Sequence, residues 1–238
     1  MTEGMGAGTG VGTRLVLGID TCGPSGSVAL ARFSDTGVDL LGQIELAGRT
    51  YAATLVAAVG DLLARAEAKV GQLGAIVVTN GPGSFTGVRV GLSAVKGLAE
   101  PGGIPVMAVS RLAVLAQKAG TKSAALDAHR HEVFVRVAGE GEKTREVLAA
   151  RADLDAIVPA PERMAVCDGA AEELLKAAWP GAELVRVTAP SASDAIALAV
   201  PQIRAREFAD LALLDGHYLR RSDAEIFGEP AQAMARRA

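Results

Sequence analysis

The sequence of 238 residues predicts an α/β protein that contains the same arrangement of strands and helices twice. Short apolar runs rich in β-branched residues alternate with longer apolar stretches of helical length, which is typical of this fold class. Strands followed by a helix and a further strand occur first from residue 15 and again from residue 124. The length fits one large domain or two small ones, and such a chain can bury an ordinary core without disulfides or metal.

Each element of the first half has its own local signal. Residues 15–19 form an apolar strand that ends at Asp20, and turn residues at 23–26 lead into a second strand at 27–31, which predicts a hairpin. The other predicted elements are strands at 38–46, 75–79 and 104–109, helices at 51–68 and 88–99, and a helix from the N-cap residue Ser110 to Lys118.

The second half repeats this order with weaker signals, from a strand at 124–127 paired with one at 132–137 to alternating elements that end near Arg206. The predicted organisation is a flexible tail at 1–13, an N-terminal subdomain at 14–109, a C-terminal subdomain at 110–208 and a C-terminal tail at 209–238. The first tail is rich in glycine and has neither a basic nor an apolar segment, so we expect no signal peptide there.

Composition excludes several classes of protein. A formal net charge of −3 and an aromatic content of 3% do not fit an autonomous nucleic-acid binder or a platform that stacks bases. Cys22 and Cys167 lack the spacing of a redox or zinc motif, which predicts two thiols without a disulfide in a reducing compartment. No apolar run approaches 18 residues, so we predict a cytoplasmic protein without a membrane span.

Asp20 and Thr21 follow the first strand, at the edge where open α/β sheets place their ligands. One interpretation is a phosphate or magnesium loop, in which the following turn presents backbone N–H groups to a phosphate. The alternative is a Gly-Pro hairpin in which the side chains of Asp20 and Thr21 satisfy local backbone groups. Spacing alone favours the hairpin.

Residues 81–89 read GPGSFTGVR and form the most specific string of the sequence. It is neither a dinucleotide fingerprint nor a P-loop. One interpretation is an anion site at the start of a helix. Its candidate residues are Gly83, Ser84, Thr86 and Arg89. The alternative is a tight strand-to-helix turn capped by Ser84 or Thr86, and Phe85 favours a packing or interface role because exposing its ring is costly.

The two predicted helices of the first half carry unusual surfaces. The stretch 51–64 is apolar around most of its circumference, and small residues recur at every third position of the next helix. One interpretation is a protein–protein interface; the alternative is that the two helices bury each other within the monomer. The candidate interface residues are Tyr51, Leu55, Val59, Leu62, Phe85, Gly91, Ala94 and Gly97.

Catalytic and metal-binding residues are not predicted. Asp127, His129 and His131 alternate along the chain and share a face, but such a histidine pair is more often solvated than bound to metal. Cys22 has no histidine near it in sequence that could activate a nucleophile.

Several of these strings together resemble one family. They are LGIDT at 17–21, SVAL at 27–30 and GPGSFTGVRVGL at 81–92, with weaker matches at Asp127-Ala128, at EVF in 132–134 and at YLR in 218–220. The combination resembles the TsaB family, also called YeaZ, of bacterial proteins of tRNA threonylcarbamoyladenosine biosynthesis. The resemblance extends roughly over residues 15–221 and is densest in the first half.

The resemblance implies an actin-like, Hsp70-like ATPase fold (ASKHA, ribonuclease H-like) of two duplicated subdomains. It also implies pairing with TsaD, which holds the metal and transfers a threonylcarbamoyl group to adenosine 37 of tRNA, and action together with the ATPase TsaE. The pairing surface of the family is formed by the first two helices. The chain is then expected to be a non-catalytic scaffold that binds no cofactor alone, with ATP and metal in the partner subunits. Its exposed apolar face also allows a homodimer of the isolated chain.

Two enzymatic alternatives remain open. A small actin-like kinase would use Asp20 and the first loop, but the second loop at 127–131 has no glycine to bring backbone N–H groups to a phosphate. A glycoprotease-like metallopeptidase would need the H-x-x-x-H metal pair of TsaD, which this sequence lacks. Departures from the family pattern at Thr50-Tyr51 and His217 affect only the expected details of partner contact.

Overall fold

The computed structural model describes residues 14–34, 37–48, 50–138 and 143–220. The predicted tail at 1–13 and most of the predicted C-terminal tail lie outside these residues. The elements of the first repeat are β1 (Arg14–Asp20), β2 (Ser25–Ser34), β3 (Gly37–Ala47), α1 (Tyr51–Arg65), β4 (Leu73–Thr79), α2 (Phe85–Ala99), β5 (Val106–Val109) and α3 (Arg111–Lys118). Those of the second are β6 (Ser123–Asp127), β7 (Glu132–Ala138), β8 (Thr144–Ala150), α4 (Arg151–Leu154), β9 (Arg163–Val166), α5 (Gly169–Ala178), β10 (Glu183–Arg186) and α6 (Ala192–Ala205).

The described residues form two five-stranded sheets with the same strand order. In the first sheet the order is β3-β2-β1-β4-β5, and in the second it is β8-β7-β6-β9-β10. The central strand of the first sheet, β1, pairs antiparallel with β2 and parallel with β4. In the second sheet β6 pairs in the same way, antiparallel with β7 and parallel with β9. The predicted internal duplication is therefore confirmed.

Helices cover both faces of the first sheet. On one face α6 packs against β1, and its Ala195, Ile196 and Ala199 are buried with Val16 and Val77. The approach is close because a Cβ atom at Gly18 would lie 2.6 Å from the carbonyl oxygen of Ala192. On the other face α1 packs against β2 and β3, and α2 packs against β4. Small aliphatic residues fill this core, as the low aromatic content predicts.

The second sheet has a core of its own. Met164 and Val166 of β9 are buried together with Leu175 of α5 and with Trp179, which follows that helix. Asp168 caps α5 because its Oδ1 accepts a hydrogen bond from the backbone N–H of Ala171 at 2.7 Å. The buried Ala171 and Leu175 form the face of α5 that covers the second sheet.

The compact units of the chain differ from the predicted subdomains in the position of the first boundary and in the placement of α6. The first unit extends to Val114 and also contains Ala189–Gly216, and the second contains Leu115–Thr188 and the chain from His217. The first boundary lies five residues beyond the predicted position 109. Helix α6, by contrast, was predicted in the second half at 110–208 but belongs to the first unit, because its apolar face is buried on the first sheet.

Candidate functional site

Asp20 ends β1 and is completely buried. Its Oδ1 accepts a hydrogen bond from the backbone N–H of Cys22 at 2.9 Å, and its Oδ2 lies 3.5 Å from Nε of Arg111. Arg111 is the first residue of α3 and is only 5% exposed. A buried carboxylate is stable only with a positive or hydrogen-bonding partner, and here both come from the chain itself. The structure therefore supports the predicted local role of Asp20 and leaves it no access to solvent.

The glycine-rich string packs directly on the loop that follows β1. Oγ1 of the buried Thr21 donates a hydrogen bond to the carbonyl oxygen of Gly87 at 2.7 Å, and the backbone N–H of Ser84 donates to the carbonyl oxygen of Cys22 at 2.7 Å. A Cβ atom at Gly87 would lie 2.0 Å from the carbonyl oxygen of Thr21. The glycine is required because the two backbones approach each other more closely than any side chain permits.

Ser84 is the N-cap of α2, because its Oγ accepts a hydrogen bond from the backbone N–H of Gly87 at 3.2 Å. The helix consequently begins at Phe85, three residues before the predicted start. Of the predicted anion-binding residues, Gly83 and Ser84 make the contact between the two loops. Thr86 and Arg89 are exposed, and the guanidinium of Arg89 lies 4.1 Å from the centroid of the Phe85 ring.

A groove of about 560 Å³ runs between α1 and α2. Most of its lining is apolar, and the exposed Arg89 supplies its only formally charged side chain. The lining residues are Tyr51, Ala52, Leu55, Val56, Phe85, Thr86, Arg89, Val90, Ser93 and Ala94. Val56 projects from α1 with 62% of its surface exposed, beside the other apolar side chains that line the groove.

The predicted interface residues divide into two sets. Tyr51, Leu55, Val59, Leu62 and Gly91 are buried within the first unit, so most of their surface stabilises the unit; Tyr51 and Leu55 also form the floor of the groove. Phe85 and Ala94 are partly exposed and line the groove, and Gly97 is exposed on α2 outside the lining. Val59 and Leu62, each 2% exposed, leave almost none of their side-chain surface for a partner in the isolated chain.

Sequence reasoning included the whole stretch 51–64 in a possible interface but did not single out Val56, the large aliphatic side chain that α1 exposes in the groove. The signal was present, because Val56 lies in an apolar helix and neighbours the buried Leu55. An α1 that is apolar around most of its circumference, however, gives no indication which of its faces covers the sheet. Only the position of β2 and β3 beneath the helix decides that Leu55 points inward and Val56 outward.

Tyr51 connects α1 to the loop after β1. Its hydroxyl donates a hydrogen bond to the carbonyl oxygen of Gly23 at 2.8 Å. Burial, followed by the nearby negative charge of Asp20, raises the pKa of Tyr51 from its ordinary value of 10 to about 12.

We expect this shift to be measurable in a Tyr218→Phe variant, which leaves Tyr51 as the only tyrosine of the chain. Ultraviolet absorbance should show ionisation near pH 12 in the folded chain and near pH 10 in urea. Because the folded state keeps a proton that the unfolded state loses, this contribution to stability should be fully present below pH 10 and be lost as the pH rises through the window to about 12. Ionisation of the folded chain at the ordinary value of 10 would contradict the buried hydrogen bond.

Cys22 is a buried thiol whose Sγ donates a hydrogen bond to the carbonyl oxygen of Thr79 at 3.1 Å. Burial, with a further contribution from the charge of Asp20, raises its pKa well above the usual range. Since the thiolate is the reactive form, this environment does not suit a nucleophile.

A thiol reagent such as dithionitrobenzoate should therefore modify the half-buried Cys167 quickly and Cys22 only on unfolding. In a Cys167→Ser variant we expect labelling at least about 100-fold slower than in the same variant dissolved in urea. Rapid labelling of the folded variant would show that the loop around Cys22 opens.

The second unit differs from the first at the corresponding edge. Asp127 ends β6, and its carboxylate accepts a hydrogen bond from the backbone N–H of His129 at 2.8 Å and lies 2.9 Å from Nδ1 of the same residue. His129, Arg130 and His131 all have positive φ values, between 57° and 59°. Asp127 and His129 thus form a local turn. Among the described residues, no three or more His, Cys, Asp or Glu side chains are grouped to hold a metal ion.

Residues 217–220 contact the second sheet. Nε2 of His217 lies 2.8 Å from Oε2 of Glu146, which also pairs with Arg136 at 2.7 Å. Arg220 donates a hydrogen bond to the carbonyl oxygen of Ala128 at 2.9 Å and pairs with Glu132. Residues 217–220 of the predicted C-terminal tail therefore pack against the second unit.

Two mixed sheets of identical strand order, each covered by helices, define an α/β protein of the ASKHA-like class with two subdomains. A structure of a Pseudomonas aeruginosa protein described as similar to peptidase YEAZ is 30% identical, with a TM-score of 0.69 over 87% of this chain and 99% of that one. A structure of YeaZ from the same organism is 28% identical, with the same TM-score over 87% of this chain and all of that one. The chain belongs to the TsaB/YeaZ family.

Sequence comparison agrees with this assignment. The TsaB protein of Haemophilus influenzae, named for tRNA threonylcarbamoyladenosine biosynthesis, is 36% identical over 126 residues. The match spans 50% of this chain and 51% of that relative, about half the length of each. A family model of TsaD, the tRNA N6-adenosine threonylcarbamoyltransferase, matches residues 43–160. No helix in the described part of the chain is long and apolar enough to cross a membrane.

Proposed function

We propose that this chain is a non-catalytic subunit of the bacterial complex that attaches threonylcarbamoyl to adenosine 37 of tRNA, and that it pairs with TsaD and activates it. The observation that carries the proposal is the open apolar groove between α1 and α2. Partner binding would bury Val56 and the exposed parts of Phe85 and Ala94, which the isolated chain leaves in contact with solvent.

The chemistry of the groove favours a helical partner. Small side chains such as Ala52, Ser93 and Ala94 allow the backbone of another helix to come close. Arg89 at the edge would pair with a carboxylate of the partner. The match to the TsaD family model includes both groove helices, so TsaD itself would bring a related pair of helices to the contact.

In this proposal ATP and metal belong to TsaD and TsaE, and tRNA is bound by the assembled complex in the cytoplasm. The net charge of −3 supports a small role for this chain in binding tRNA phosphates. A kinase that uses Asp20 for magnesium receives no support, because that carboxylate is fully buried and paired with Arg111.

A reconstituted reaction tests the proposal. Unmodified tRNA, the threonylcarbamoyl adenylate and the TsaD and TsaE proteins of the same organism are combined with and without this chain, and modified nucleoside is measured by mass spectrometry. We expect transfer only when the chain is present, and no ATP hydrolysis by the chain alone. Transfer that is equally fast without the chain would contradict the proposal, as would steady ATP hydrolysis by the purified chain.

The groove would also accept a second copy of this chain when TsaD is absent. Light scattering of the isolated chain, followed by titration with TsaD, distinguishes the two occupants. A homodimer that dissociates as the heterodimer forms places both contacts on the groove. A homodimer that persists in the TsaD complex would assign self-association to another surface.

A further inference from the structure

We infer that the guanidinium of Arg111 is a built-in counter-ion of Asp20 and takes the place of a nucleotide-bound cation at this edge of the first sheet. Proteins of the ASKHA-like class bind a magnesium nucleotide with loops at such strand ends, so the class implies a magnesium nucleotide as the ligand of this edge. The residues around Asp20 do not fit such a ligand. This inference concerns the first unit alone and holds whether or not the chain pairs with TsaD.

The carboxylate of Asp20 already has a counter-ion inside the chain. Its Oδ1 accepts the N–H of Cys22, and its Oδ2, which accepts no hydrogen bond among the described residues, lies 3.5 Å from Nε of Arg111. The groups of other residues that face it are the Arg111 guanidinium, the Cys22 thiol and the Tyr51 hydroxyl, and the charge of Asp20 contributes to the raised pKa of both of the latter. With Asp20 0% exposed and Arg111 5% exposed, a hydrated cation has no route to this carboxylate.

Three backbone N–H groups of the two loops already donate within the chain. The N–H of Cys22 donates to Asp20, the N–H of Ser84 donates to the carbonyl oxygen of Cys22, and the N–H of Gly87 donates to Oγ of Ser84. A phosphate site in such loops requires several N–H groups that converge on open space. Here the N–H of Ser84 joins the two loops, and those of Cys22 and Gly87 donate within their own loops.

Arg111 is fixed in this position from two sides. Its backbone N–H donates to the carbonyl oxygen of Gly81 at 2.7 Å, which ties the start of α3 to the glycine-rich string. Its Nη2 lies only 2.3 Å from the point that a Cβ atom at Gly23 would occupy. The guanidinium therefore packs against the backbone of the first loop and fills the space beside Asp20.

A double-mutant cycle of Asp20→Asn and Arg111→Met measures whether the two charges stabilise the fold as a pair. Each single variant leaves one buried charge without its partner, and we expect its melting temperature to fall by about 10 °C. The double variant carries no such charge and should melt above both single variants. Additive losses, or an Arg111→Met variant as stable as the parent chain, would overturn the inference.

Two further measurements keep the inference testable if a single variant fails to fold. Arg111→Lys keeps the positive charge and should lose less stability than Arg111→Met. Calorimetric titration of the parent chain with ATP and magnesium chloride should show no saturable binding up to millimolar concentration. Magnesium-dependent ATP binding that disappears in the double variant would show that Asp20 serves a nucleotide after all.

Discussion

Replacing Ala94 with glutamate is expected to abolish association with TsaD while the isolated chain stays folded. Ala94 is partly exposed in the wall of the groove, so a longer side chain can extend into solvent when the groove is empty. In the proposed complex the new carboxylate would be buried without a partner, which costs about 3 to 5 kcal/mol and weakens binding by at least about 100-fold. Calorimetric titration with TsaD measures the dissociation constant, and circular dichroism reports the fold.

Ala170→Glu provides a matched control for this experiment. Ala170 is exposed in the first turn of α5, in the second unit, where an acidic side chain is compatible with the helix dipole. This variant should bind TsaD with unchanged affinity and support the full rate of tRNA modification. Equal binding by the Ala94 and Ala170 variants would remove the groove as the pairing surface. Unfolding of the Ala94 variant would show that the groove wall has no room even in the monomer.

Replacing Gly87 with alanine is expected to cause a large loss of stability. The added methyl group would lie 2.0 Å from the carbonyl oxygen of Thr21, which is backbone and cannot rotate away. Helix α2 would have to move, and the hydrogen bond between Thr21 and Gly87 would break. We expect the free energy of unfolding to fall by about 3 kcal/mol or more, measured by urea denaturation.

Gly97→Ala is the control on the same helix. Gly97 is exposed, and no atom lies within 4 Å of the position that its Cβ would take. Alanine loses less backbone entropy than glycine in a helix, so this variant should be more stable by about 0.5 to 1 kcal/mol. Similar effects at both positions would mean that the close contact of the two loops does not limit the packing of α2.

Several features of the fold followed from the sequence with only local errors. The hairpin of β1 and β2, the strand ahead of the glycine-rich string and the repeat from residue 124 were predicted, since turn residues and apolar periodicity act over a few neighbours. The capping role of Ser84 was also foreseen as one of two alternatives. The start of α2 was misplaced because no sequence pattern distinguished Ser84 from Thr86 as the cap.

What the sequence could not predict depends on contacts between distant residues. Helix α6 was assigned to the second half, and only its apolar face on β1 shows that it belongs to the first unit. Arg111 was not recognised as the partner of Asp20, because 91 positions separate them and no local pattern links them. Val56 was not singled out because an all-apolar helix does not reveal which face the sheet will cover.

The sequence by itself determined the duplicated α/β fold and the family resemblance, because short-range patterns and specific strings encode both. The tertiary structure alone decided the use of each candidate residue. It buried Asp20 against Arg111 and left Val56 and Ala94 facing an open groove. It also placed Gly83 and Gly87 where the glycine-rich string contacts the loop after β1. Burial and charge pairing depend on which elements meet in space, and that meeting is set by the packing of the whole first unit.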